Sequence, residues 1–388
     1  MNKGINISLL KQTAEPSGRL SFRRRRNLFD IIISRFLLRR NDKTFNKMRM
    51  IVVLIICLLN VMITFGQDIH FSQFNASPLN LNPALTGMFD GDYRFILNER
   101  NQWNSITIPY KTYSGSFDMQ LPTDRWHIKN LPKGIWGFGV VINKDNAGDG
   151  SLGITEAKVS LSYMGKISKD SSQFLSFAIQ PGITNKSFNY NALHFDEQWN
   201  GDAFDPGLPT GETFLRNSTT YLNLGLGMRY HYQIKARNSV TVGFAYTHFN
   251  SPLETFIANS DATLSPKFTI HSNAQFMIND QIDILPSLLW EKQNTFNETV
   301  IGASGKYIID AQQSTNFYLG LYMRLGDAII PTVSMDYDAF TVGLSYDVNT
   351  SPLKAASSGH GGFEISIIYI MKNPIPFKPG KKICPVYM

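Results

Sequence analysis

Seven histidines, His70, His127, His194, His231, His248, His271 and His360, are the side chains in this chain best suited to acid–base chemistry near neutral pH. Serine and aspartate are abundant, so a nucleophile and a base could meet by chance. No ordered motif supports such a meeting. The chain lacks the Gly-x-Ser-x-Gly elbow, the His-Glu-x-x-His zinc helix and the phosphate-binding glycine loop. Only two cysteines are present, Cys57 and Cys384, and Cys57 lies in an apolar run. No internal disulfide or cysteine metal cluster is therefore expected. The reading is of a non-enzyme, with no catalytic residue, no metal ligand and no cofactor site.

The charged residues with a pattern are Asp118, Glu156, Lys158, Arg229, Lys306 and Arg324, each alternating with apolar neighbours. The pattern is clearest in 221–232, Tyr-Leu-Asn-Leu-Gly-Leu-Gly-Met-Arg-Tyr-His-Tyr. In a strand, Leu222, Leu224, Leu226, Met228, Tyr230 and Tyr232 share one face. Arg229 and His231 fall on the other with Asn223 and two glycines. Soluble strands usually run about 5–6 residues. This stretch has the length of a tilted membrane strand, roughly 9–11 residues.

Such segments recur fourteen times, near 92–100, 111–120, 134–144, 152–167, 173–186, 219–234, 239–249, 266–278, 281–293, 297–309, 315–326, 328–337, 339–348 and 362–371. Pro286 interrupts the ninth, where a bulge is expected. An even number of long alternating strands predicts an all-β fold, a single-chain antiparallel outer-membrane β-barrel over 92–371. The charges above, with His231 and His271, then face the lumen. An arginine or lysine at the lipid midplane would cost roughly 2–4 kcal/mol. In the lumen they could bind a substrate, hold a plug, or simply solvate the interior.

Connections after odd-numbered strands tend to be long (187–218, 250–265, 349–361) and those after even-numbered strands short, as the two rims of such barrels require. The connections 121–133 and 326–327 depart from this alternation. Odd strands then run outward, and Tyr230 and Tyr232 lie toward the periplasmic rim. Aromatics near strand ends, Trp103, Trp290, Tyr307 and Tyr369 among them, suit interfacial girdles. Fourteen strands fall between eight, which side chains fill, and sixteen, which leave a channel. The segment 67–91 lacks strand alternation and carries Pro78, Pro83 and Gly87. It is expected to fold inward as a luminal plug.

A net charge of +7 suggests nucleic-acid binding until its distribution is examined. Residues 1–66 hold 13 Lys/Arg and 3 Asp/Glu, leaving 24 against 27 beyond them, so no nucleic-acid partner is expected. Ile51 to Phe65 is an apolar run behind Lys47 and Arg49, and 48–66 reads as a secretory signal cleaved after Gly66. Its about 15 apolar residues fall short of the roughly 20 of a helical span. Ile56 is too large for lipoprotein processing at Cys57. Residues 1–47 read as an extended leader or as a translation start placed too far upstream. The tail 372–388 holds Pro374, Pro376 and Pro379, which bar further regular strand.

Several strings resemble the PorP/SprF family: Gln67-Asp-Ile-His-Phe-Ser-Gln-Phe, Leu81-Asn-Pro-Ala-Leu-Thr-Gly87, Asn98-Glu-Arg-Asn-Gln-Trp103, Tyr113-Ser-Gly-Ser-Phe-Asp118 and Gly362-Phe-Glu-Ile-Ser-Ile-Ile-Tyr369. The resemblance spans 67–388. It implies an outer-membrane component of the type IX secretion system of Bacteroidota, embedded in outer-membrane lipid. The implied partners are the system's periplasmic ring and large secreted adhesins, in some relatives those of gliding motility. It supplies no catalytic residues. Its motif residues here are Asn82, Pro83, Gly87, Arg100, Trp103 and Asp118. Asn82-Pro83 reads as a turn or helix entry and Gly87 as a helix end. Arg100 and Trp103 read as interfacial anchors or partner contacts. The alternative function is a transport barrel for small hydrophobic or anionic solutes, its candidate lumen residues Arg229, His231 and Arg324.

Overall fold

The period-two pattern becomes fourteen antiparallel strands: β1 (Tyr93–Gln102), β2 (Tyr110–Leu121), β3 (Ile135–Ala147), β4 (Leu152–Lys166), β5 (Gln173–Ser187), β6 (Ser218–Lys235), β7 (Asn238–Thr247), β8 (Lys267–Met277), β9 (Ile282–Gln293), β10 (Phe296–Asp310), β11 (Thr315–Arg324), β12 (Ala328–Tyr337), β13 (Phe340–Asn349) and β14 (His360–Met371). The computed structural model describes residues 68–102, 109–121, 134–148, 150–212, 214, 216–257, 261–351 and 359–372. The leader, the signal segment, Trp103, Cys57, Cys384 and the tail beyond Lys372 lie outside them.

Each strand pairs with the next, and β1 closes the barrel on β14, from Tyr93 opposite Met371 to Gln102 opposite Gly362. Closure is what lipid demands, because an open edge would leave a row of backbone groups unpaired at several kcal/mol each. Strand β6 shows the division of faces. Leu222 is 66% exposed, whereas Arg229 and His231 are 1% and 0%. Across the barrel the outward positions are apolar and the buried ones largely polar, the inverse of a soluble protein.

Pro286 makes no bulge. Its pairing with β10 runs in register through Ala303, and pairing toward β8 lapses beside it, between Asn273–Ser287 and Phe276–Ile284. The missing N–H is tolerated by leaving those rungs open rather than by adding a residue. Register shifts occur at Gln233/Lys235, Ile308/Asp310 and Tyr346/Val348. One end of the barrel carries the long connections 188–217, 248–266 and 350–359; the other carries mostly tight turns, with 122–134 its long member. Two more short connections, 148–151 and 294–295, join the long-loop end.

The residues before β1 form three short turns of helix: a 3-10 turn at Phe74–Ala76, α1 (Pro78–Leu81) and a second 3-10 turn at Pro83–Leu85. Pro78 and Pro83 each open a turn, where a missing N–H costs nothing. The Asn82 side chain caps the last turn by accepting from the Ala84 N–H at 2.9 Å. Gly87 then reverses the chain at φ +71°, a conformation that favours glycine.

Candidate functional site

The segment Asp68–Phe89 is among the most buried parts of the chain: Leu79, Asn82, Ala84, Thr86 and Phe89 are each at most 1% exposed. Its partners are the inward side chains of the barrel wall. Asp68 meets His248 Nε2 at 2.7 Å and Lys267 Nζ at 3.5 Å. These two residues flank the 248–266 connection, so Asp68 lies at the long-loop end. Asp92 donates its N–H to the Met371 carbonyl at the tight-turn end. The contacts from Asp68 to Asp92 therefore reach wall residues at both ends of the barrel.

Its upper part rests on a carboxylate clamp. Glu364 accepts the backbone N–H of Ser72 through Oε1 at 2.6 Å and that of Gln73 through Oε2 at 2.9 Å. Arg100 reaches Glu364 through Nε at 3.1 Å and Asp347 through Nη2 at 3.1 Å, and donates to the His70 carbonyl at 2.6 Å. Arg324 binds the same Asp347 oxygen at 3.0 Å, Glu298 at 3.3 Å and the Ser72 hydroxyl at 2.6 Å. All five charged side chains are nearly solvent-free, and charge-assisted bonds in such surroundings are the strong ones. Arg100 is 1% exposed. Its reading as an interfacial anchor is therefore corrected: it points inward, because Arg94, Ile96, Asn98 and Arg100 alternate on the luminal face of β1.

Electrostatics sharpen this end. Burial pushes the Asp68 carboxyl up, but the neighbouring His248 and Lys267 outweigh it and hold it well below the carboxylate range. Burial and the flanking Arg100 and Arg324 charges hold the His70 imidazole well below its ordinary value. His70 is neutral at pH 7, so its 3.9 Å approach to Glu298 is not an ion pair.

The lower part is seated on glycines. Asn82 Nδ2 faces the Met228 and Phe244 carbonyls at 3.0 and 3.3 Å and His271 Nε2 at 3.1 Å. A Cβ on Gly227 would stand 2.3 Å from Asn82 Oδ1, and one on Gly137 would stand 2.3 Å from the Thr86 carbonyl. Asp118 accepts the Gly87 N–H at 2.7 Å and is held by Arg94 through Nε and Nη2 at 2.9 and 2.7 Å. Gln180 and Ser162 donate to the carbonyls of Leu79 and Thr86.

The other sequence candidates lie apart from these contacts. Glu156 pairs with Lys158 at 2.8 Å and receives Asn143, and Lys306 lies over the Tyr318 ring at 5.6 Å. His231 contacts Thr241 at 2.8 Å. Arg229 points Nη1 at the Met164 sulfur at 3.8 Å and borders a cavity of about 270 Å³ between the segment and the tight-turn end. The cavity is lined by Phe74, Leu81 and Met88 on one side and wall hydroxyls such as Ser304 and Thr332 on the other.

Sequence reasoning missed Glu364, Asp347, Glu298 and Gln180. Their one signal was a lone polar group at an inward position of an alternating strand, which marks a lumen residue but not its partner.

The model of a family described as type IX secretion system membrane protein PorP/SprF matches residues 63–369. No curated protein matches the chain. Among solved structures, the toluene transporter TodX of P. putida is 10% identical, with 74% of this chain and 92% of that chain covered at a TM-score of 0.41. A Pseudomonas aeruginosa FadL homologue gives 10%, 74%, 92% and 0.40. The KdgM porin gives 9%, 71%, 98% and 0.30.

Proposed function

The chain belongs to the PorP/SprF family of type IX secretion system membrane proteins, and from that premise we propose that it serves export as a non-enzymatic, plugged barrel acting through protein contacts. It resides in the outer membrane. Its partners are other secretion components, and in the finer reading the periplasmic ring and large cargo such as adhesins, including those of gliding motility. The supporting observation is the bonding of 68–89 to wall residues from one rim to the other. A lumen so engaged offers no free path to a polypeptide, so the barrel contributes surfaces rather than a conduit. Deleting the gene should remove a set of proteins from the cell-surface proteome; an unchanged surface proteome would refute the reading.

The cavity beside Arg229 favours a second reading, uptake of small hydrophobic or anionic solutes. That reading requires solute flux into liposomes carrying the protein, lowered by Arg229→Ala. Absence of flux removes it.

A further inference from the structure

Among the described residues, the connections at the long-loop end carry eight carboxylates and one basic residue, whereas those at the opposite end carry three and two. Five of the eight lie in 188–217, against Arg216 alone. In that connection Trp199 pairs with Phe204 across a small antiparallel hairpin. The hairpin is closed by Asp205 N–H to the Gln198 carbonyl at 2.8 Å and Asn200 N–H to the Ala203 carbonyl at 3.1 Å. The Asn200 side chain accepts from the N–H groups of both Asp202 and Ala203 at 2.9 Å.

Directly opposed residues share a face of a hairpin, so Trp199 and Phe204 lie on the same side of it. Trp199 is 58% exposed and Phe204 36%, and His194 stacks on Phe204 at 4.0 Å. The base is anchored by Phe188, which packs edge-on against Phe214 and Phe256 at 5.0 and 4.8 Å. A tryptophan held out on a fixed hairpin among Asp196, Glu197 and Asp202 exposes apolar area that its own chain does not cover. Ordering costs for binding there are already met by the fold.

We propose that this hairpin is a docking tip for an arginine- or lysine-bearing stretch of an exported polypeptide, a partner that rests on the secretion reading above. A guanidinium or ammonium stacks on the Trp199 face while the flanking carboxylates pair with its charge. The negative charge of the whole outer rim selects for a cationic partner and steers its approach.

The test uses the full-length protein in nanodiscs and a fluorescein-labelled peptide of alternating arginine and glycine. A glutamate–glycine peptide and a dextran oligosaccharide serve as the competing probes. The cationic peptide should bind, should weaken as salt rises, and should lose about three- to tenfold in affinity with Trp199→Ala. The triple variant Asp196→Asn, Glu197→Gln, Asp202→Asn should weaken it while leaving barrel migration on a gel unchanged. Binding that ignores Trp199→Ala, or oligosaccharide bound in preference, overturns the proposal. The secretion reading is tested separately by the surface proteome of the deletion strain. If that proteome is altered but peptide binding ignores Trp199, only the docking tip fails; if it is unaltered, the exported partner fails even where the peptide binds.

Discussion

Glu364 shows how much one inward residue does. Its two oxygens accept two successive backbone N–H groups of a segment nearly three hundred positions earlier in the chain, and it neutralises Arg100. Replacing it with alanine leaves Arg100 with Asp347 as its remaining carboxylate and orphans the Ser72 and Gln73 amides. Breaking a buried pair on one side typically costs about 3–5 kcal/mol. Glu364→Ala should therefore lower the thermal unfolding midpoint in detergent and expose 68–77 to protease, while Glu364→Gln, which keeps the side-chain volume and one accepting oxygen for one of the two amides, should do less. Gly227→Ala is a steric counterpart. Its Cβ meets Asn82 Oδ1, and overpacking of this kind costs typically 1–3 kcal/mol. The residue scale is also where sequence reasoning ran out. Alternation told that Arg229, Arg324 and Asp118 sit apart from apolar neighbours, but Arg100–Glu364 and Arg324–Ser72 are created by closing the barrel and threading it. No local pattern encodes either.

At the scale of elements, the strands were legible almost to the residue because lipid on one side and polar lumen on the other enforce strict alternation. The segment 68–92 was legible only as the stretch that does not alternate. Its proline, asparagine and glycine positions marked turns, and the structure uses them so; its contacts depend on wall glycines whose role is invisible until the segment is in place. Two titratable groups make its seating pH-dependent. His70 is held neutral, its folded value below its unfolded one of roughly 6.5. It contributes fully above that pH and loses stability as pH falls through it. Asp68 is held ionised, so its contribution is present above roughly 3.9 and fades as pH falls further. Both losses lie on the acid side. The unfolding midpoint should drop between pH 7.5 and 5.5, and His70→Gln, neutral at both, should flatten that drop. A drop unchanged in the variant would mean that another group carries it.

For the molecule as a whole, the question is whether an outer-membrane barrel of fourteen strands is a conduit or a platform. Its strand number alone allows a lumen wider than side chains from the wall can fill, since eight strands are just filled and sixteen leave a channel. On the plugged-barrel reading proposed above, residues 68–89 make up the difference with their own side chains. Leu81 and Phe74 join Leu289, Val300, Tyr322 and Ile330 in an apolar cluster inside the barrel. That cluster has no counterpart in a water-filled pore, where inward positions stay polar. Removing 68–91 should therefore convert a closed barrel into a conducting one. In planar bilayers the full-length protein is expected to show no steady ion conductance, and the deletion variant to show open-channel steps. Restoring the missing residues as a free peptide on the tight-turn side should suppress those steps, because the Glu364 clamp takes backbone amides of the segment and the glycine seat takes its Asn82 side chain and Thr86 carbonyl, contacts a free peptide can remake. Steady conductance by the full-length protein would instead make the lumen a path, and the solute-uptake reading would become the stronger one.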